Sequence, residues 1–179
     1  MSIERIKILR TKRIVKEFKE AFKNPFDIDN NIYQINDGVY LHINEEDFTN
    51  VQILISGPKD SPYFSGNYFF NYEYTSNYPF EPPKLKFITT DGHIRFNPNL
   101  YASGKVCLSI LGTWQGPPWE PSMSVTDVCT YLQLILNENP LENEPGFENR
   151  KDQVMKDYIT YVDINNYSFA INNIVRNKP

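Results

Sequence analysis

The chain has 179 residues, a formal net charge of −4 and a hydrophobic fraction of 40% that includes 12 Tyr, 12 Phe and 2 Trp. That composition is too apolar for a disordered polymer. The acidic balance also excludes an overall electrostatic grip on nucleic acid, which needs Lys and Arg clustered against phosphate. The length suits one domain, expected over 1–179 with a core in about residues 10–162.

The amino-terminal stretch MSIERIKILRTKRIVKEF interleaves charge with apolar residues, so neither a secretory signal nor a membrane anchor is expected. No later run approaches the roughly 18 apolar residues of a spanning helix. A cytoplasmic monomer is the expectation, with the nucleus also open to it and with neither membrane nor nucleic acid as partner. In that reducing setting Cys107 and Cys129 are expected to be free.

Residues 3–22 place Ile3, Ile6, Ile14, Phe18 and Phe22 at mostly three- and four-residue spacings, the pattern of an amphipathic helix ending before Asn24-Pro25. Strand-like runs follow at VYLHI (39–43), VQILIS (51–56), GNYFFNYEY (66–74) and KLKFIT (84–89), each bounded by Gly, Pro, Asn or Asp. Their short connections predict a four-stranded antiparallel meander, because parallel neighbours need long crossovers.

From Asp91 to Pro121 the chain loses periodicity and gains Gly, Pro and Asn, an irregular length that usually carries function. Ser124-Val-Thr-Asp127 then reads as a capping box, and Val125, Val128, Cys129, Leu132, Ile135 and Leu136 form a helical apolar stripe up to Asn139-Pro140. A last helix is expected from about Glu148 through Tyr161, with 163–179 able to form a short extra helix. The fold class is therefore α+β.

The two cysteines differ in setting. Cys129 lies on the helical stripe as a small core side chain. Cys107 lies in irregular chain, in FNPNLYASGKVCLSILGTW (96–114), and has the polar Asn97, Asn99 and Ser109 for company. It reads either as an inert thiol in a short buried strand or as a nucleophile.

The segment NPNLYASGKVCLSIL resembles the active-site motif of the ubiquitin-conjugating enzymes: His-Pro-Asn, a Gly turn, and a catalytic Cys followed by Leu. Asn99 precedes Cys107 by eight residues, the spacing of that motif. GPKDSPYFSGNYFF (57–70), YPFEPPKLKF (78–87) and WEP (119–121) resemble three further motifs of the family in the right order. The likeness is strongest to loop-extended members with NPN in place of HPN and with an Asn-Glu-Pro-Gly-Phe-Glu string, here at 143–148.

The resemblance implies the ubiquitin-conjugating fold and an acyltransferase. Cys107 would take ubiquitin or a ubiquitin-like protein from an activating enzyme as a thioester, then yield it to a lysine or a ligase. Such a thiol must lie open beside the carboxamide of Asn99. That amide would either donate to the developing oxyanion or brace the loop. Glu144, with Glu142 as competitor, would be the acid that orients the incoming amine. No cofactor is implied, since ATP is used by the activating enzyme. With no Cys/His/carboxylate cluster near His42 or His93, no metal is expected.

Two departures stand out. Asn97 occupies the usual His position, so no imidazole is available there. Trp119 follows the thiol by twelve residues, four more than usual, which makes 110–118 an insertion and Trp114 extra. That insertion reads as a selectivity feature or as a surface on which Trp114 packs. For partners, the resemblance assigns Lys12, Arg13 and Lys16 to the activating enzyme, and Phe80, Pro121 and Ser122 to the ligase. Two other readings stay open: a non-catalytic binding scaffold of the same fold, and a cysteine hydrolase that would need a His beside the thiol. The richness in Asn, Ile and Lys fits an AT-rich genome, such as that of a large virus.

Overall fold

In the computed structural model, residues 3–21 and 23–172 are described. The first helix, α1, spans Ile3–Ala21 and buries Ile14, Glu17, Phe18 and Ala21, a single face at three- and four-residue intervals. Its opening turns stand clear of the core, with Ile3 87% exposed. Phe22, expected on the same stripe, lies outside the described residues.

Six strands follow in chain order, each antiparallel to the next: β1 Pro25–Asp27, β2 Ile32–Asn36, β3 Val39–Ile43, β4 Asn50–Ser56, β5 Asn67–Glu73 and β6 Lys84–Phe87. The four expected strands are β3 to β6. The added edge escapes sequence patterning because β1 has three residues and β2, IYQIN, is half-buried at every position, leaving no two-residue alternation to read. Alternation is plain further in, where Val39, Leu41 and Ile43 of β3, Val51, Ile53 and Ile55 of β4, and Tyr68, Phe70 and Tyr72 of β5 turn to one face.

Onto that face packs α2, Val125–Ile135, through Val125, Val128, Cys129, Leu132 and Ile135. Its start is fixed as expected: the Ser124 N–H and hydroxyl both donate to Asp127 Oδ2, at 2.7 and 2.8 Å. The carboxylate of Glu17 is buried at this helix start, where it accepts from Val125 N at 3.0 Å, Tyr74 Oη at 3.2 Å and Tyr78 Oη at 2.5 Å. A negative charge is favourable there, because unpaired N–H groups make the helix N-terminus locally positive.

The last helix, α3, spans Gln153–Asn165, with Asp152 Oδ1 accepting from Met155 N at 3.3 Å as its cap. It starts later than its sequence pattern suggests, because Asn149 takes a left-handed backbone and breaks the run. The helix then widens into π-type turns at Asn166–Ile171, without a break that would make a separate element. Asn166 holds that widening. Its Oδ1 accepts from Tyr68 Oη at 2.7 Å and its Nδ2 donates to Phe64 O at 2.9 Å. Residues 173–179 of the expected extra helix lie outside the described residues.

Candidate active site

The chain beyond β6 is anchored to the sheet edge before it reaches the thiol. Phe87 N donates to Gly104 O at 2.9 Å, and Lys86 bridges Lys105. Between them a tight turn runs from Tyr101 to Lys105, with Gly104 N on Tyr101 O and Tyr101 N on Lys105 O. Gly104 has φ +87°, and a Cβ there would lie 2.9 Å from Phe87 O, so conformation and space both require glycine.

Two isolated bridges, Asn97 to Leu100 and Leu100 to Val106, fold the NPN segment back along the segment that carries the thiol. Asn99 and Cys107 then face each other and pair twice. Cys107 N donates to Asn99 O at 2.9 Å, and Asn99 Nδ2 donates to Cys107 O at 2.6 Å. The carboxamide is thus engaged as a brace, while Asn99 Oδ1 is buried without a partner.

The thiol is not open, contrary to the expectation. Cys107 is 1% exposed, although it stands outside the apolar cluster that takes in Cys129. The chain that follows it is held against the backbone on both sides of the thiol. A 3₁₀ turn at Ser109–Leu111 is succeeded by Thr113, whose hydroxyl accepts from Leu108 N at 3.0 Å and donates to Val106 O at 2.8 Å. Both cysteines are free, and complete burial pushes the Cys129 thiol up, as suits an inert core group.

Asn97 sits where the resemblance would place a histidine, and it is fully buried. Its Nδ2 donates to Tyr63 Oη at 2.8 Å and to Ile135 O at 2.7 Å, while its Oδ1 accepts from Asn99 N at 2.9 Å. Every polar atom of the side chain is satisfied, a brace's arrangement with no proton to exchange. His42 is exposed on β3, and His93 is exposed with its N–H on Asp91 Oδ1. Neither imidazole hydrogen-bonds to Cys107 or Asn99, so the base a cysteine hydrolase needs has not been brought to the thiol.

Glu144 is joined to the motif by way of Arg95. Arg95 Nη2 lies 3.3 Å from Glu144 Oε2 and donates to Pro98 O at 2.7 Å, and the guanidinium lies over the Tyr101 ring. Among the described residues no ion pair ties Glu142 to that loop. The neighbouring Pro145, with Gly112, Thr113, Trp114 and Gln115, lines a cleft of about 620 Å³. Trp114 is 43% exposed on that cleft, so the inserted loop presents its indole and does not bury it.

The candidate partner surfaces meet in an unexpected way. Lys12 and Lys16 are exposed on α1. Arg13 instead turns inward: its Nε binds Glu17 at 2.6 Å, its Nη1 donates to Pro121 O at 2.9 Å, and its Nη2 donates to Ser122 O and Met123 O at 2.9 and 2.6 Å. Phe80 is 48% exposed, and Pro121 and Ser122 are exposed close by. Trp119 Nε1 secures the two loops to each other through Pro79 O at 2.7 Å. Sequence reasoning missed three side chains, Thr113, Arg95 and Tyr63. Tyr63 had a signal, since an aromatic hydroxyl in a buried Ser-Pro-Tyr turn needs a partner.

Among the described residues, no group of three His, Cys, Asp or Glu side chains is placed to hold a metal ion. No helix among them is long and apolar enough to cross a membrane.

Comparison with known proteins agrees with this arrangement. The profile of the family described as ubiquitin-conjugating enzyme matches residues 13–167. The ubiquitin-conjugating enzyme E2 Z of Danio rerio is 47% identical over 116 residues, covering 64% of this chain and 35% of that protein. A probable ubiquitin-conjugating enzyme of Caenorhabditis elegans is 42% identical over 173 residues, covering 90% of this chain and 23% of its own length. A probable ubiquitin-conjugating enzyme of Acanthamoeba polyphaga mimivirus is 38% identical over 150 residues, covering 78% and 10%. The chain thus spans about a third or less of the length of these curated relatives. Among solved structures, the E2 domain of a Toxoplasma gondii ubiquitin conjugating enzyme superposes with a TM-score of 0.63 at 21% identity, covering 89% of this chain and 98% of that one, a likeness of fold. The chain belongs to the ubiquitin-conjugating enzyme family.

Proposed function

We propose that this chain is a thioester carrier. Cys107 Sγ attacks the carbonyl carbon of ubiquitin, or of a ubiquitin-like protein, held as a thioester on the activating enzyme. The old C–S bond breaks, and the departing thiolate leaves with a proton. A lysine amine, or a ligase thiol, then attacks the acyl carbon on Cys107. With an amine, a C–N bond forms, the nitrogen loses a proton and the Cys107 thiol is regenerated. A thiol suits this relay because a thioester keeps the acyl group activated and yields readily to nitrogen.

The observation that supports the reading is the double pairing of Asn99 with Cys107, which holds a carboxamide beside the nucleophile. One hydrogen of Asn99 Nδ2 goes to Cys107 O, and the second is the donor that would meet the tetrahedral oxyanion. Glu144 would orient the amine, in competition with Arg95. Lys12 and Lys16 would meet an acidic face of the activating enzyme, with Arg13 serving them indirectly by holding the 121–123 loop. Phe80, Pro121 and Ser122 would dock a ligase. ATP is consumed by the activating enzyme, and the chain acts as a monomer.

Incubation with activating enzyme, ATP and ubiquitin, followed by a non-reducing gel, tests this reading. An adduct removed by reductant, absent in Cys107→Ala and kept in Cys129→Ala, is the expected result. Ubiquitin binding with no adduct would establish the scaffold reading instead.

A further inference from the structure

We propose that Thr113 is a positioning residue for Cys107, holding the nucleophile's backbone from the side opposite Asn99. This rests on the thioester-carrier reading above. Asn99 engages the N–H and C=O of Cys107 itself, at 2.9 and 2.6 Å. Thr113 engages the peptide groups on either side, with its hydroxyl accepting from Leu108 N at 3.0 Å and donating to Val106 O at 2.8 Å. Thr113 N adds a bond to Leu108 O at 3.3 Å. The backbone groups of 106–108 are therefore held by two side chains that arrive from different directions, and a shift of the backbone that carries the thiol must break bonds to at least one of them.

The hydroxyl suits this position because it is donor and acceptor at once. Valine fills the same volume and supplies neither function, whereas serine supplies both. Thr113 is also well placed to matter beyond stability. The residue is exposed, yet its hydroxyl reaches part-buried backbone groups of Val106 and Leu108, and it belongs to the loop that lengthens this chain relative to the family pattern. That loop is folded back on the segment after the thiol, since a Cβ at Gly116 would come 2.9 Å from Ser109 Cβ. It also lines the cleft that it shares with Pro145. A group entering the cleft would press on the residue that aligns the nucleophile, so the added loop sets the geometry of attack as well as the shape of the approach.

The test compares wild type, Thr113→Val and Thr113→Ser in single-turnover loading from the ubiquitin-charged activating enzyme, with melting temperature measured alongside. At saturating activating enzyme the valine variant is expected to load about tenfold more slowly, the equivalent of about 1.4 kcal/mol in the barrier. Its half-saturating concentration stays unchanged, and its melting temperature falls by several degrees because the Leu108 N–H loses its acceptor. Serine keeps the rate within about twofold, because the paired groups remain. Wild-type loading by the valine variant would overturn the proposal, as would equal loss in serine and valine, or an effect confined to the half-saturating concentration.

A second measurement needs no modifier: alkylation of Cys107 by iodoacetamide, with Cys129 as internal reference. Release of the clamp is expected to raise the Cys107 rate about fivefold or more while Cys129 stays protected. Equal Cys107 rates in wild type and variant, or parallel exposure of Cys129, would refute the clamp. If wild type forms no ubiquitin adduct, the carrier reading fails, and the alkylation rates still decide the role of Thr113.

Discussion

Replacing Asn97 with alanine tests whether the residue in the histidine position is structural. Three hydrogen bonds are lost at a site with no exposure. Two of the partners keep another bond, since Tyr63 Oη still donates to Phe96 O at 2.8 Å and Ile135 O still accepts from Asn143 Nδ2 at 3.1 Å. Asn99 N is left unpaired in a buried loop, at a cost of about 1–3 kcal/mol. The truncated side chain leaves a small void that brings the expected total to about 3 kcal/mol. For a chain of this size that lowers the melting temperature by about 6–12 °C. Asn97→His retains an acceptor and a donor, and is expected to lose about a third as much. Because Asn97 fixes Asn99, and Asn99 fixes Cys107, thioester loading should slow in the alanine variant and stay close to normal in the histidine one. The reasoning is refuted if alanine shifts the melting temperature by less than about 2 °C, or if histidine raises the loading rate well above wild type, the mark of an acid–base role.

Glu17→Ala removes a buried carboxylate from Arg13, Tyr74, Tyr78 and Val125 and leaves the guanidinium without its charge partner. Urea denaturation should show a loss of about 3–5 kcal/mol, and a loss under about 1 kcal/mol would contradict the account. Burial raises the hydroxyl pKa of Tyr63, Tyr68, Tyr72, Tyr74 and Tyr78 above the ordinary value of 10.0, and Glu17 adds to the rise at Tyr74 and Tyr78. The folded chain then keeps protons that the unfolded chain releases, so stability is intact below about pH 9.0, where Cys129 starts the fall, and drops further as pH climbs past 10.0. A urea midpoint that stays flat from about pH 8 to 11 would contradict this. Glu144→Gln should slow discharge to free lysine about a hundredfold, the lower end of the usual range for general acid–base groups, and leave loading unchanged. Glu142→Gln should do neither, and the reverse pattern in a discharge time course would reassign the acid.

Much of this arrangement was legible in the residues. Alternation in VYLHI and VQILIS reports burial directly, because side chains on a strand change face at every step, and both expected runs lie in strands that bury every second residue. The cap at Ser124 was equally readable, being chemistry between residues three apart. The approach of Asn99 to Cys107 was legible as a motif spacing. Its geometry was not, since the spacing is silent on which atoms pair. The burial of Cys107 was hidden because the residue lies in irregular chain with no period from which to read a buried face. Arg13 misled for a related reason. A cation on a charged helix face reads as open to a partner, whereas here three carbonyls in a loop more than a hundred residues away take up its guanidinium.

The reciprocal bonds between residues 99 and 107 close a small ring of chain whose interior is shaped by its own turn at Gly104. Such a ring travels as one piece. Rearrangements of the sheet or of the outer helices can tilt or shift it, yet the pairing of the Asn99 carboxamide with the Cys107 backbone moves with it. Lengthened or shortened loops elsewhere on this scaffold can therefore diversify what approaches the thiol and leave the 99–107 pairing intact.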